Sequence, residues 1–137
     1  MPDPLTVVLL GQPVGKGRPR FAGHGHAYTD KKTRANEGYL KLAAAGEMRD
    51  REMFTTPVKL TVRAEFKIQP SWSKKKKNAA ILGQLAHGSS PDIDNIIKQI
   101  GDAFNGLVWT DDRLVSALIA SKVYSNQPKL VITVSAL

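Results

Sequence analysis

Apolar and polar residues alternate strictly from Val58 to Ile68, which is the clearest periodic pattern in the chain. The apolar positions of this segment are Val58, Leu60, Val62, Ala64, Phe66 and Ile68. Alternation at a period of two is typical of a strand with only one face buried in the core. We therefore expect a sheet whose second face is either exposed to water or covered by a partner.

Weaker patterns predict the other elements. Further strands are predicted at Leu5–Leu10, Leu114–Tyr124 and Lys129–Ala136. Helices are predicted from Arg34 to Asp50 with Thr33 as the cap, from Lys74 to about Gln84, and from Asn95 to Asn105. Apolar residues of the last helix recur at helical spacing and form one stripe. The order β-α-β-α-α-β-β predicts an α+β (mixed α/β) fold, with about four strands and two to three helices in a single domain over residues 1–137.

The composition favours a polyanionic partner and excludes some classes of site. Lysine and arginine number 20 against 12 aspartates and glutamates, which gives a net charge of +8 at pH 7. A basic surface attracts nucleic acid because neutralised phosphates release counterions. The chain has no cysteine, which excludes disulfides and thiolate metal sites. With no signal peptide and no apolar run long enough for a bilayer, a cytoplasmic protein without membrane contact is expected.

Five acidic residues lie between Asp92 and Asp112, which is unexpected in a basic chain. In an extended segment, Asp92 and Asp94 would point the same way. Lys98 follows Asp94 by one helical turn, and the turn with Asp111 and Asp112 could fold back to meet them. Repulsion between such close carboxylates calls for a cation. Mg²⁺ prefers these oxygen ligands, so the cluster is suited to phosphodiester hydrolysis.

Each of these residues also has an ordinary structural interpretation. Asp92 and Asp94 could cap a helix, Lys98 could form a surface ion pair, and an Asp-Asp pair often forms a turn. The sequence does exclude a calcium loop starting at Asp92. Such a loop needs glycine and glutamate at its sixth and twelfth positions, where Ile97 and Ala103 stand.

The longer string around the acidic residues resembles the RusA family of Holliday junction resolvases. The residues that carry the resemblance are Pro91-Asp92-Ile93-Asp94-Asn95-Ile96-Ile97-Lys98, Asp102-Ala103, and Val108-Trp109-Thr110-Asp111-Asp112-Arg113-Leu114-Val115. The family pattern is D-x-D-N-x-x-K, then an aromatic residue before a D-D turn. Gly11-Gln12-Pro13, Lys16 to Arg20, Tyr28-Thr29 and Ser71-Trp72-Ser73-Lys74-Lys75-Lys76 are similar to its phage-type branch.

The resemblance implies a small dimeric protein that cleaves branched DNA, a four-way junction above all, with paired symmetric nicks in recombination and repair. It implies Asp92, Asp94 and Asp112 as catalytic metal ligands, Asp111 as an additional candidate ligand, and Lys98 as the catalytic lysine. The implied cofactor is Mg²⁺, with Mn²⁺ as a substitute and no organic cofactor. A homodimer also suits the two-fold symmetry of a junction.

The basic segments are the candidate DNA-binding surface. These residues are Lys16, Arg18, Arg20, Lys74, Lys75, Lys76 and Lys77. The lysine run could instead be a solvated helix end, and the adjacent Phe21 and Trp72 could either stack on an unpaired base or pack in the core. Two other functions stay open, namely a broader branch or flap nuclease and a non-catalytic junction-binding protein.

Overall fold

A four-stranded mixed sheet with helices on one face organises the protein, as seen in a computed structural model. The structure describes residues 2–17, 20–21, 27–28 and 31–137, and for 20–21 and 27–28 it describes the backbone only. The strands are β1 (Leu5–Leu10), β2 (Arg20–Phe21), β3 (Ala27–Tyr28), β4 (Val58–Lys67), β5 (Val115–Ser125) and β6 (Lys129–Ala136). The helices are α1 (Lys31–Glu47), α2 (Lys74–Ile81), α3 (Ile93–Phe104) and a 3₁₀ turn at Asp112–Leu114.

The strand order β1-β6-β4-β5 places the alternating strand β4 inside the sheet. β4 runs antiparallel to β6 and parallel to β5, with Leu60 opposite Val134 on one side and Leu118 on the other. A parallel pair cannot be closed by a hairpin and needs a crossover connection. Here the crossover contains α2, α3 and the 3₁₀ turn, so the segment with the acidic residues leaves the sheet and returns to it.

The core lies between the apolar face of β4 and the helices α1 and α3. Leu60 and Phe66 of β4, Leu40 of α1 and Ile100 of α3 are all buried in one cluster. Trp109 is 0% exposed. Its indole Nε1 donates a hydrogen bond to Asn105 Oδ1 at 2.7 Å. This bond satisfies the polar atom of a large buried ring and fixes the chain just before Asp111 and Asp112.

Most predicted elements are confirmed, with shifts at their ends. The range of β1 and that of β6 are the predicted ones, and β4 and β5 differ from prediction by a residue at their ends. The pair β2–β3 was not predicted. In the part of the chain that the structure describes, no helix is long and apolar enough to cross a membrane.

Thr33 is not the cap of α1, which corrects one prediction. The helix begins earlier, at Lys31, and Thr33 is buried inside its first turn. Its hydroxyl Oγ1 accepts a hydrogen bond from Gly17 N at 2.9 Å. The hydroxyl therefore holds a neighbouring loop, a tertiary role that local sequence rules do not encode.

Candidate active site

Helix α3 begins at the acidic motif itself. Asp92 is its N-cap residue, with φ −67° and ψ 145°, and Asp94 lies in the first turn. The prediction that both carboxylates project from one extended segment is therefore wrong. Aspartate is favoured both at an N-cap and in a first helical turn, where it complements the helix dipole, so the helix starts before Asn95.

The Asp92 carboxylate is exposed and makes no capping hydrogen bond to the helix. An N-cap aspartate usually accepts a bond from a backbone N–H of the first turn. Among the described residues, no side chain or backbone group bonds to this carboxylate either. Both oxygens are therefore available to a cation or to a ligand outside the protein.

Asp94 and Lys98 form a loose pair on the exposed side of α3. Lys98 Nζ lies 3.7 Å from Asp94 Oδ2, and the two side chains are 63% and 65% exposed, respectively. An exposed pair at this spacing contributes less than about 1 kcal/mol to stability. The pair therefore contributes little to the stability of the fold. Both charged groups can reach a ligand that approaches this face of the helix.

The aspartate turn returns to the same helix at Gly101. Gly101 lies two helical turns beyond Asp94 on the same face, and a β-carbon there would be 3.0 Å from Asp112 Oδ2. Asp111 instead caps the 3₁₀ turn, because its Oδ1 accepts a hydrogen bond from Arg113 N at 2.9 Å. That hydrogen bond is the main reason why the pKa of Asp111 is lowered. Asp111 thus has a structural role, whereas Asp112 faces the helix.

Asp92, Asp94 and Asp112 border one end and one face of α3 without closing around a common point. Among residues 2–17 and 31–137, no three side chains of aspartate, glutamate, histidine or cysteine lie close enough to hold one metal ion. The donor chemistry nevertheless suits a hard divalent cation. Carboxylate oxygens are what Mg²⁺ takes, and it keeps several waters besides. These residues would therefore suit a divalent cation whose coordination is completed by water, and their assignment as metal ligands stays a prediction.

The loop from Gly11 to Gly17 lies against α3 and holds Lys16 there. Lys16 N donates a hydrogen bond to Asn95 O at 3.1 Å. Lys16 Nζ forms an ion pair with Asp102 Oδ2 at 2.7 Å, with side-chain exposures of 35% and 38%. Lys16 therefore has an internal partner as well as an accessible side. Of the other predicted DNA contacts in this region, Arg18 lies outside the described residues, and of Arg20 only the backbone is described.

The run from Lys74 to Lys77 forms the first turn of α2. Ser73 Oγ caps this helix by accepting a hydrogen bond from Lys76 N at 3.2 Å. Lys76 Nζ lies 4.1 Å from the centre of the Trp72 ring, and that ring meets Tyr124 edge-on. Trp72 thus packs against its own chain on two sides, and both interpretations of the lysine run fit this geometry. The side chain of Phe21 is not among those described.

Two residues near the site were not identified as candidates from the sequence. Lys122 on β5 donates hydrogen bonds to Ser89 O at 2.7 Å and Pro91 O at 3.0 Å. His87 stacks on Phe66 with ring centres 3.8 Å apart. Burial, and secondly the charge of Lys122, lower the pKa of His87. Their partners are distant in sequence or are backbone atoms, so no local pattern points to either residue.

Comparison with known proteins identifies a family and a relative. The chain matches the family described as Endodeoxyribonuclease RusA over residues 11–135, which includes every candidate residue above. It is also similar to the uncharacterized protein YqaN of Bacillus subtilis (strain 168). The two sequences are 34% identical over 138 residues, and the match covers 96% of each chain.

Proposed function

Because the chain belongs to the RusA endodeoxyribonuclease family, we propose that it resolves four-way DNA junctions by paired, symmetric, metal-dependent nicks. The single observation that carries the proposal is the exposed face of α3. There Asp92 has a carboxylate without a capping hydrogen bond, Asp94 and Lys98 are exposed, and Asp112 packs at Gly101. Exposed carboxylates beside a loosely paired ammonium serve hydrolysis of a phosphodiester better than they serve stability.

Asp92, Asp94 and Asp112 would hold a divalent cation, Mg²⁺ with Mn²⁺ as a substitute. When bound, such an ion activates water and neutralises charge on the phosphate. Asp111 is a weaker candidate ligand, because one of its oxygens is already used by Arg113 N. The family match supports the nuclease chemistry in general, and the carboxylate chemistry supports this choice of ion.

Lys98 would stabilise the charge that develops on the scissile phosphate. Its ammonium projects from the same helix face as Asp94 and is only loosely engaged, at 3.7 Å. A cation held on a helix needs little reorganisation during reaction, which is why positioned charges contribute much to catalysis. The pair with Asp94 would orient Lys98 before the phosphate arrives.

The substrate is proposed to be branched DNA bound by a homodimer. The net charge of +8 favours a polyanion, and Lys74 to Lys77 present cations that have no carboxylate partner among the described residues. Two symmetric nicks require two active sites related by a dyad, which a dimer with one acidic segment per chain supplies. We expect this activity in the cytoplasm, where DNA recombines.

The direct test is a nicking assay with labelled substrates and purified protein. A four-way junction, a flap, a fork and a plain duplex are compared with and without Mg²⁺, while light scattering measures the oligomeric state. The proposal predicts a dimer that cuts opposed strands of the junction in pairs, and only with metal. Equal cleavage of flap and fork would favour the broader nuclease, and junction binding without cleavage in any metal would favour a binding protein.

A further inference from the structure

The segment from His87 to Pro91, here called the Asp92 loop, leads directly into the N-cap of α3. It has no helix or strand hydrogen bonding of its own. The position of Asp92 therefore depends on what fixes this loop from outside. In the described part of the chain, contacts from strands β4 and β5 and from Gly15 do so.

The strongest of these contacts is Lys122, which reaches the loop from the edge strand β5. Its ammonium donates to Ser89 O at 2.7 Å and to Pro91 O at 3.0 Å. The second carbonyl belongs to the peptide bond that joins Pro91 to Asp92. Hydrogen bonds with a charged donor are roughly twice as strong as neutral ones. Lys122 thus holds the backbone immediately before the candidate metal ligand.

The other two contacts restrict the loop from different directions. His87 stacks on Phe66 at the beginning of the loop, with an angle of 17° between the rings. At the end of the loop, a β-carbon on Gly15 would lie 2.8 Å from Pro91 Cβ, so only glycine leaves room for this packing. Pro91 is therefore packed against Gly15 while its carbonyl is held by Lys122, so two independent contacts fix the exit of the loop.

We propose that Lys122 is a positioning residue for cation binding: by holding the Pro91 carbonyl, it sets the orientation of the Asp92 carboxylate. The inference rests on the proposed function, since it takes Asp92 as a metal ligand. The proposed role requires no contact of Lys122 with metal or DNA. Loss of a group that orients a metal ligand typically weakens metal affinity by about 10- to 100-fold.

Removing the charge of Lys122 distinguishes two roles, because a long-range electrostatic effect and a positioning effect would change metal affinity in opposite directions. Lys122 is a cation near a cation site, so removing its charge by Lys122→Met should tighten metal binding if it acts only at a distance. If Lys122 positions Asp92, the same change should weaken binding. The measurement is Mn²⁺ binding to the DNA-free protein, followed by electron paramagnetic resonance of the unbound ion.

We expect Lys122→Met to weaken Mn²⁺ binding by about tenfold or more, and Lys122→Arg to restore most of it. Lys67→Met is the matched control, because Lys67 is an exposed lysine on the neighbouring strand whose ammonium has no partner among the described residues. It should leave Mn²⁺ binding unchanged. If Lys122→Met does not fold, Lys122→Leu takes its place, since its side chain is also apolar and offers no donor to the loop. Unchanged or tighter binding in the folded variant would overturn the inference.

Asp92→Asn separates failure of this inference from failure of the proposed function. If Asp92→Asn binds Mn²⁺ like the unaltered protein, Asp92 is not a ligand and the proposed metal site is wrong. If Asp92→Asn weakens binding, Lys122→Met should have no further effect in that background, because the carboxylate it positions is gone. A full additional loss in the double variant would mean that Lys122 acts by another route, and would overturn the positioning role.

Discussion

Gly101 and Asp112 lie so close together that a β-carbon on the first would be 3.0 Å from Oδ2 of the second. Gly101 is inside α3, where glycine costs about 1 kcal/mol of helix stability relative to alanine. The absence of a side chain at this position is what allows the aspartate turn to approach the helix. Helix α3 therefore has a residue of low helix propensity at the position that Asp112 approaches.

Gly101→Ala should therefore lower the cleavage rate without lowering the stability of the fold. Alanine favours the helix by up to about 1 kcal/mol, whereas its methyl group forces the Asp112 carboxylate to shift. We expect cleavage to fall by more than tenfold while the melting temperature stays within a few degrees. Single-turnover rates with a thermal melt make the comparison.

Gly46→Ala in α1 provides the matched control, because nothing lies within 4 Å of its added β-carbon. It should gain helix stability and keep full activity. If Gly101→Ala were as active as this control, the position of Asp112 would not matter for cleavage.

Asp94→Asn should abolish nicking and leave junction binding unchanged or tighter. The carboxylate that would hold the metal also repels phosphate, so removing its charge affects the two steps in opposite ways. Because Asp94 is 65% exposed, the substitution should hardly alter folding. Gel-shift titration and a cleavage assay on the same junction test this. Near-normal cleavage in Mg²⁺ would remove Asp94 from the metal site.

Lys98→Met should lower the single-turnover rate on the order of a hundredfold or more, as expected for loss of a positioned charge. Junction affinity should change far less, since one phosphate contact is a small part of binding. If Lys98 only pairs with Asp94, the loss is limited to less than about 1 kcal/mol of stability. A rate within a few-fold of normal, in a variant that melts slightly earlier, would support that structural role instead.

Replacing Lys74 to Lys77 with alanine should weaken DNA binding and flatten its dependence on salt. Each lost phosphate contact should reduce the slope of log affinity against log salt by roughly 0.9. Since Lys76 also lies over the Trp72 ring at 4.1 Å, Lys76→Ala alone serves as a control for packing. A slope that does not change in the fourfold variant would identify the run as a solvated helix end.

His87 should make folding stability depend on pH. Its pKa is lowered from the ordinary value of 6.5, chiefly by burial and then by Lys122. A lowered pKa means that the fold favours the neutral ring. Its contribution is thus fully present above pH 6.5 and is lost as the pH falls below that value towards the lowered pKa. Urea unfolding between pH 8 and pH 5 should show this loss, and His87→Phe, which keeps the stack on Phe66, should reduce it.

Most of the fold was predictable from the periodic spacing of apolar residues. β4 and β6 follow from strict alternation, and α3 from an apolar stripe, because both patterns reflect a single buried face. The start of α3 was less predictable, since Asp92 and Asp94 suit an extended segment and a helix start equally well. That ambiguity decides whether the two carboxylates point the same way.

The candidate residues of the site could be chosen from the sequence, whereas the distances between them could not. Asp92, Asp94, Lys98 and Asp112 stand out by charge and by family pattern. Nothing local indicates that Lys16 pairs with Asp102 at 2.7 Å, or that Lys122 holds the backbone before Asp92. These contacts join segments that the fold alone brings together, so they depend on the topology of the sheet rather than on any spacing.

The parallel pairing of β4 and β5 has a consequence for the newly made protein. Asp92, Asp94, Lys98 and Asp112 all precede β5, yet Lys122 belongs to it, and the strand pair forms only after the crossover has been synthesised. Contacts between such distant segments form late and slowly in folding. A ribosome-bound chain that ends before β5 already has the four side chains but lacks Lys122, which holds the Pro91 carbonyl. If Lys122 positions Asp92 as proposed, the candidate metal site is completed only after β5 has joined the sheet.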